Sequence, residues 1–329
     1  MSASGAPTPP PLHLHDTALP AHTLPERVVE IPIPRPSSNR NDWRYQMSRL
    51  PTSALIASLL IIAPYNDSAA QEREYEVTEI TDGVYMFRYR AHNAMFVVTG
   101  DGVVAFDPIS PAAAHIYRDQ IRTVTSEPIR LIVYSHHHAD HISGANELAP
   151  GVPIIAHALA REKLAAEPNP DITLPSRTFT DEMTMFVGGT EIRLLYLGRN
   201  HSDNSIVAHL PQKGVIFAVD FVSNDRVGYR DLPGFYFPDL WGSLERLQRL
   251  DYHTAIFGHG PPGTKGDVYE QIKYWTDLQS WAESAIHAGL SEDEAVEKVD
   301  LPDYRAWGGY DDWFKMNART IYRHYAEGM

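Results

Sequence analysis

A short histidine-rich segment in the first half of the chain has residue types and a spacing that suit a metal site. It reads S-H-H-H-A-D-H, and its H-x-H-x-D-H spacing lets the outer histidines and the aspartate converge. These candidate ligands are His136, His138, Asp140 and His141. His137, in the middle of the triple, is expected to point away from the metal because its neighbours face inward. The segment therefore indicates metal-ion chemistry.

The residues that precede this segment support the interpretation. The apolar run I-R-L-I-V-Y at residues 129–134 is typical of a buried strand, and the histidines follow it directly. Sites in α/β proteins lie where strands end, because the loops there can turn several side chains toward one point. We therefore expect the candidate ligands on the loop that leaves this strand.

Short apolar runs and tight turns from Tyr75 onward predict two groups of strands with helices between and after them. Strands are predicted at residues 77–80, 84–89, 94–98, 103–106, 129–134, 152–156, 183–187, 191–196, 205–210 and 215–219. Helices are predicted at residues 112–124, 158–166, 240–250, 268–287, 291–298 and 312–325. Strands in both halves with helices outside them predict an α/β fold of two sheets packed face to face, a four-layer αββα sandwich.

Four motifs, taken in order, resemble those of the metallo-β-lactamase superfamily. The first is the H-x-H-x-D-H segment. The others are His201 in G-R-N-H-S-D-N, Asp220 at the end of the apolar strand 215–219, and His259 in F-G-H-G. The match in order and spacing extends over nearly all of residues 75–265, and a chance match of all four motifs is improbable.

The resemblance implies a centre with two Zn²⁺ ions per chain. One metal would be held by His136, His138 and His201, the other by Asp140, His141 and His259, with Asp220 bridging them. Asp107, which ends the strand 103–106, would orient a ligating histidine. Redox iron relatives have a glutamate where this chain has His138, which disfavours a diiron flavoprotein, whereas the ligand types alone leave iron or manganese open.

The remaining histidines are interpreted as polar or packing residues, because an isolated histidine usually has that role. Within residues 71–329, and apart from His137, they are His92, His115, His157, His209, His253, His287 and His324.

The activity that the resemblance implies is hydrolysis. Two metals would supply a bridging hydroxide that attacks an electrophilic carbon, while Asp140 orients the nucleophile. Penicillin hydrolysis is disfavoured, because the best-known β-lactamase subclass has Cys at the position of Asp220. Glyoxalase II and the lactonases share the Asp220 arrangement, so an ester, a lactone or a related small molecule is the expected substrate.

The segment 222–241 is rich in aromatic residues and would suit a flat, apolar or aromatic substrate. We predict that Tyr229, Tyr236 and Trp241 border the pocket, and either tyrosine is a candidate proton donor. The alternative is that these side chains only cover the core. The aromatic segment is compatible with a hydrolytic dehalogenase of chlorinated aromatics, similar to chlorothalonil dehalogenase of this superfamily. A noncatalytic metal-binding scaffold is a further alternative, although it would be expected to have an incomplete ligand set.

Composition excludes several classes of protein. With 43% hydrophobic and 21% charged residues, the 329-residue chain is an ordinary globular protein rather than a set of membrane spans. Its formal net charge of -14 argues against nucleic acid as a partner, so a small-molecule substrate is expected. The absence of cysteine excludes thiol nucleophiles, disulfides and thiolate zinc sites. The sequence makes no prediction about oligomeric state.

The first 70 residues differ in composition from the rest. Residues 1–46 are rich in proline and are predicted to be a disordered leader. Residues 47–70 have the basic start, short apolar run and small-residue exit of a signal peptide, which predicts initiation at Met47 and cleavage near Ala70. Residues 71–329 would then form the catalytic domain, periplasmic or secreted, with no stable membrane span. A buried apolar helix behind a disordered tail is the alternative.

Overall fold

Two β-sheets organise residues 74–328, the part of the chain that the computed structural model describes. The predicted leader at 1–46 and the signal-peptide-like segment at 47–70 lie outside the described residues. Within residues 74–328, no helix combines the length and the apolar composition that crossing a membrane would need.

The first sheet has seven strands in chain order. They are β1 Tyr75–Thr81, β2 Val84–Tyr89, β3 His92–Thr99, β4 Gly102–Phe106, β5 Ile129–Val133, β6 Ile154–His157 and β7 Arg177–Phe179. β1 to β4 pair antiparallel through short turns, whereas β4 to β7 are parallel. Parallel neighbours need crossover connections, and these contain helices: α1 Pro111–Val124, α2 Ala139–Ile142, α3 Ala145–Leu148 and α4 Ala158–Ala166.

The second sheet has six strands in the order β13-β12-β11-β10-β9-β8. They are β8 Glu182–Val187, β9 Thr190–Leu195, β10 Val207–Leu210, β11 Val215–Ala218, β12 Thr254–Phe257 and β13 Gly263–Thr264. Only the β11–β12 pair is parallel, and the connection between these strands contains helix α5 Phe237–Arg249. The remaining helices are α6 Lys265–His287, α7 Glu292–Lys298 and α8 Tyr310–Gly328, with short 3₁₀ turns at Pro211–Lys213 and Pro302–Tyr304.

Apolar side chains form a buried layer between the two sheets and one on the outer side of each. In the central layer Phe106 of β4 meets Phe217 of β11 edge to face, with ring centroids 5.9 Å apart. Outside the first sheet, Tyr117 of α1 stacks on Phe87 of β2 at 4.6 Å. Outside the second sheet, α5, α6 and α8 cover the strands. The predicted four-layer α/β sandwich is confirmed.

Several details differ from the sequence prediction. Helix α5 begins at Phe237 rather than at residue 240, because Pro238 occupies the first turn, where a missing N–H costs no hydrogen bond. The strands β7, β12 and β13 and the short helices α2 and α3 were not predicted. Each has at most four residues, which is too few to establish a period.

Candidate metal centre

The seven predicted ligands meet at one edge of the sandwich. His136 and His138 follow β5, Asp140 and His141 lie on α2, His201 precedes β10, Asp220 follows β11, and His259 follows β12. Backbone hydrogen bonds join these loops: Ile206 N–H donates to the Ser135 carbonyl at 2.8 Å, and Ile109 N–H donates to the His141 carbonyl at 2.6 Å. The two sheets therefore hold the ligand loops against each other.

A first group of possible donor atoms comes from His136, His138, His201 and Asp220, and these atoms all lie within 4.8 Å of one another. His201 Nε2 is 2.9 Å from His138 Nδ1. Asp220 Oδ2 is 3.6 Å from His136 Nε2 and 3.5 Å from His201 Nε2. This group contains the residues that the resemblance assigns to one metal, with Asp220 beside them.

A second group consists of His92, Asp140, His141 and His259, whose donor atoms likewise lie within 4.8 Å of one another. Asp220 faces this group too, because its Oδ2 is 3.1 Å from His141 Nε2 and its Oδ1 is 3.3 Å from His259 Nε2. Asp220 thus lies between the two groups, where a bridging carboxylate would have to be.

His92, interpreted from the sequence as a polar or packing residue, lies beside the predicted ligands. Its Nε2 is 3.2 Å from Asp140 Oδ2, and its ring lies against the His259 ring at 4.7 Å. No local pattern distinguishes His92 from the other isolated histidines. It is 44 positions before His136, and only the long-range contact between β3 and the loop after β12 brings it to the centre.

His137 lies outside both groups. Its Nδ1 is 3.0 Å from Asn204 Nδ2, which gives the ring a polar partner away from the centre.

Several buried polar atoms of the centre have no hydrogen-bond partner among the described residues: His136 Nε2, His141 Nε2 and Asp220 Oδ1. Buried polar atoms are nearly always hydrogen-bonded, and an unpaired one costs about 1–3 kcal/mol. Here they belong to residues that are typical metal ligands. The donor set therefore fits a divalent cation, which would satisfy these atoms together.

The electrostatics of the histidines also suit a cation. Burial lowers the pKa of His136 well below its usual range, lowers that of His138 to about 4, and lowers those of His201 and His259. These imidazoles are therefore neutral near pH 7, which is the protonation state that binds metals.

The two buried carboxylates have opposite pKa shifts. Burial opposes ionisation of Asp220, but the charge of the nearby His141 holds its pKa well below the usual range. Burial likewise disfavours the charged form of His141, yet Asp220, Asp107 and Asp140 together raise its pKa to about 9. Burial raises the pKa of Asp107 to about 7. An ionised carboxylate thus lies at the middle of the cluster.

Asp107 and Asp220 both have left-handed backbone conformations, with φ of 46° and 69°. Aspartate adopts this region more readily than bulkier residues, and such strain is concentrated at functional sites. Asp107 is fully buried, accepts a hydrogen bond from Ser135 N–H at 2.8 Å, and has its Oδ2 3.9 Å from His141 Nδ1. It therefore fixes the start of the ligand loop and faces one of the histidines.

A cavity of about 390 Å³ opens onto both groups. Its donor-bearing wall consists of His92, His138, Asp140, His201, Asp220 and His259. Its largely apolar wall includes Phe221, Val222, Val227, Tyr229, Pro233, Phe235 and Trp275, and its polar lining includes Ser223, Arg226 and Gln271. Phe235 packs on the His201 ring at 5.3 Å, so an aromatic surface directly adjoins the candidate ligands.

Of the three predicted pocket residues, Tyr229 lines this cavity, whereas Tyr236 and Trp241 are not part of its lining. Tyr236 precedes the first turn of α5 and lies beside the Arg199 guanidinium, 5.0 Å from its ring centroid. Trp241 packs on the core outside the second sheet, and its Nε1–H donates to the Tyr325 hydroxyl at 3.2 Å.

Trp275 on α6 and Phe235 provide aromatic surface in the cavity. Phe235 is in the aromatic segment noted in the sequence, but Trp275 is far from it. The apolar residues of α6 are those expected of any helix that packs on a sheet, so no sequence signal identified Trp275.

A protein-family model described as the metallo-beta-lactamase superfamily matches residues 88–259 of the sequence, slightly more than half of the chain. The chain therefore belongs to the metallo-β-lactamase superfamily, which confirms the resemblance drawn from its motifs. Its cluster of histidines and aspartates is the divalent-metal site of that fold.

Three named relatives are enzymes. The chain is 26% identical over 264 residues to the 2,4-dinitroanisole O-demethylase subunit alpha of Nocardioides sp. (strain JS1661), covering 77% of this chain and 78% of the relative. It is 25% identical over 267 residues to a linear primary-alkylsulfatase of Pseudomonas sp. (strain ATCC 19151), covering 63% of this chain and 50% of that relative. It is 25% identical over 155 residues to a metallo-beta-lactamase type 2 of Bacteroides fragilis, covering 44% of this chain and 61% of that relative.

Two solved structures share the fold. A metallo-beta-lactamase from Pontibacter korlensis matches with a TM-score of 0.53 and 22% identity, covering 59% of this chain and 95% of that one. A metallo beta lactamase from Erythrobacter litoralis matches with a TM-score of 0.52 and 21% identity, covering 61% and 96%. At these identities the likeness concerns the fold alone.

Proposed function

We propose that this protein is a zinc-dependent hydrolase that binds two Zn²⁺ ions per chain and attacks an electrophilic carbon of a small, apolar or aromatic substrate. One observation carries the proposal. Two groups of donor atoms share Asp220 and face a cavity with aromatic side chains on its other wall.

A divalent metal bound by these residues would lower the pKa of a coordinated water and so supply hydroxide near neutral pH. Asp140 lies in the cavity wall with about half of its side chain exposed (56%). Burial opposes its ionisation, but its contact with the His92 ring and the charge of His141 lower its pKa. Its carboxylate is therefore ionised, and we assign it the role of accepting a hydrogen bond from the attacking water and orienting it.

The cavity supports a small aromatic substrate. Its volume of about 390 Å³ is near the lower end of the range for small-molecule sites, ~300–1,000 Å³. Phe235 provides a partly exposed flat apolar surface on which a ring can stack, the buried Trp275 adds aromatic lining, and Tyr229 provides a hydroxyl at the same cavity. Packing of a ring there would exclude water and orient the reacting carbon.

The relative named for 2,4-dinitroanisole supports the same substrate class, because that molecule is an aromatic methyl ether. The second candidate function is hydrolytic dehalogenation of chlorinated aromatics, as in chlorothalonil dehalogenase, and the aromatic cavity wall favours it. In such a step hydroxide forms a C–O bond at the ring carbon, the C–Cl bond breaks, and chloride leaves. A noncatalytic scaffold is disfavoured, because the ligand set is complete.

The test is metal reconstitution. Protein stripped with a chelator would receive zero to three equivalents of zinc, with bound metal measured by mass spectrometry. Initial rates would be measured on an aryl ester, a lactone, a thioester, a β-lactam, a chloroaromatic and a nitroaryl methyl ether. We expect the turnover rate to rise until two equivalents of zinc are bound. The aromatic substrates should be turned over fastest. Full activity in the metal-free protein, or no hydrolysis of any substrate, would contradict the proposal.

Two variants control this experiment. His138→Ala should lose metal and turnover together, because it removes a donor from the first group. His115→Ala changes an exposed histidine on α1 and should retain both.

We also propose that the enzyme works in the periplasm or is secreted after cleavage near Ala70, from the signal-peptide-like segment 47–70. The acidic charge further disfavours nucleic acid as a substrate. Intact-mass measurement of protein exported from a native host should give a chain that begins near residue 71, and a chain that begins at Ser2 would contradict export.

A further inference from the structure

We propose that His92 is a metal ligand: its Nε2 adds an imidazole to the donors of the second group, Asp140, His141 and His259. This inference rests on the proposed function, because it needs a metal in that position. It concerns a residue outside the seven that the sequence motifs identify.

The geometry of the second group carries the inference. His92 Nε2 is 3.2 Å from Asp140 Oδ2, and the four donor atoms lie within 4.8 Å of one another. Two donors that each lie about 2.0–2.1 Å from one tetrahedral zinc ion are roughly 3.3 Å apart. The observed separation is therefore that of two ligands of one ion, as well as that of a hydrogen bond.

The rings are arranged around a common point. The His92 ring centroid is 4.7 Å from that of His259 and 5.5 Å from that of His141, both in edge-on contacts. About a quarter of the His92 side chain is exposed (28%), and it forms part of the cavity wall. His92 is thus beside the other donors and is reachable by an ion from the cavity.

The backbone on both sides of His92 is fixed to the loop that carries His259. His259 Nδ1 is 2.7 Å from the Ala91 carbonyl oxygen, and Asn93 N–H donates to the Gly258 carbonyl at 2.8 Å. The buried Asn93 amide donates to the carbonyls of Phe257 and Gly260, at 3.0 and 2.7 Å. The backbone at His92 is therefore tied to the loop that carries His259, as expected of two residues that hold one ion.

The contact between His259 and Ala91 also selects a tautomer. A proton on His259 Nδ1, donated to the Ala91 carbonyl, leaves the Nε2 lone pair facing the centre. The residue next to Ala91 is His92. The start of β3 thus orients the donor atom of His259 through Ala91 and supplies a second donor, His92 Nε2.

The alternative is that His92 only donates a hydrogen bond to Asp140. In that case its Nε2 would carry a proton and could not bind a metal, so removal of the ring would leave metal coordination unchanged. Spectroscopy of the metal distinguishes these two roles, whereas activity alone does not.

The experiment uses the full chain loaded with one and then two equivalents of Co²⁺, with the visible absorption spectrum recorded at each step. Zinc affinities of both positions would be measured by competition with a chelator. The variants are His92→Ala, His92→Asn, His259→Ala as the positive control and His115→Ala as the negative control. Far-UV circular dichroism would establish which variants are folded.

We expect His92→Ala to keep the affinity of the first position and to weaken the second at least ~10-fold, with a changed spectrum for the second cobalt equivalent. Added imidazole should restore the spectrum. His92→Asn, which keeps a polar side chain too short to reach the ion, should behave like the alanine variant and replaces it if that variant does not fold.

Unchanged affinities and spectra in a folded His92 variant would overturn the inference, even if turnover fell. That outcome is distinct from failure of the proposed function, in which the parent protein itself would bind fewer than two metal ions or would not hydrolyse any substrate.

Discussion

Because Gly258 has no side chain, the Asp220 carboxylate can lie directly beside its backbone. A methyl group at this position would overlap Asp220 Oδ1 and lie 2.7 Å from Val219 Cγ1 and 3.1 Å from His141 Cε1. These neighbours belong to the middle of the candidate centre, and the centre is closely packed. The small residue before His259 is therefore a steric requirement of the site.

Gly258→Ala should consequently displace Asp220 and lower zinc affinity by at least about tenfold, with the secondary structure retained. Chelator competition and far-UV circular dichroism measure the two effects. Gly308→Ala is the matched control, because a methyl group there makes only ordinary contacts of 3.7 and 3.8 Å. Equal affinities in the two variants would show that the site has more room than the structure indicates.

The sequence predicted the candidate ligands better than the pocket. His136, His138, Asp140 and His141 lie in one short motif, Asp220 follows a recognisable apolar strand, and His259 lies in the short motif F-G-H-G. His92 and Trp275 have no such local signal, because the fold alone brings them near the other residues. Side chains placed by long-range packing are those that a single sequence predicts least well.

Helix α6 has two structural roles, as a cover for the second sheet and as a wall of the cavity. It begins with a capping box, in which Thr264 and Asp267 exchange hydrogen bonds with each other's backbone N–H groups. The helix brings Trp275 to the cavity, whereas α5 directs Trp241 toward Tyr325 on α8. Two tryptophans on neighbouring helices thus have different surroundings.

Trp275→Leu should lower kcat/KM for aromatic substrates about tenfold, which corresponds to ~1.4 kcal/mol of lost ring contact, while bound zinc is unchanged. The kcat/KM of Trp241→Leu for the same substrates should stay within about twofold of the parental value. Steady-state kinetics with metal analysis would compare them. If both variants retained parental kinetics, the aromatic wall would have no role in substrate binding.

The elements that the sequence predicted well are those with a clear period or clear boundaries. Helix α4 and strand β2 were predicted with their observed limits, and β4 to within one residue, since turns such as Asp82-Gly83 precede these strands. The first turn of α5 was missed because Pro238 was not recognised as part of the helix. β7 and β12 are defined by the pairing of their backbones rather than by a pattern of side chains.

At the scale of the whole molecule, the sandwich brings ligands from both sheets to one edge, so metal binding is linked to folding. A metal that binds only the native state stabilises it by about 2.7 kcal/mol when its free concentration is 100-fold above Kd. For a domain of this size that should raise Tm by roughly 5–10 °C.

Differential scanning calorimetry with zinc and then with excess chelator would measure this shift. Asp220→Ala should remove most of it, because it takes a carboxylate from both donor groups. A zinc-induced shift of parental size in the Asp220 variant would place the stabilising metal elsewhere.

Hydrolysis by this protein is tested most directly by following the oxygen atom of the water. Zinc-loaded protein would be mixed with an activated aromatic substrate in ¹⁸O-water, and the product would be examined by mass spectrometry after a single turnover. Metal-dependent attack by water predicts one ¹⁸O atom on the carbon that was attacked, and no product from the metal-free protein. Product without ¹⁸O, or equal formation of product without metal, would contradict it.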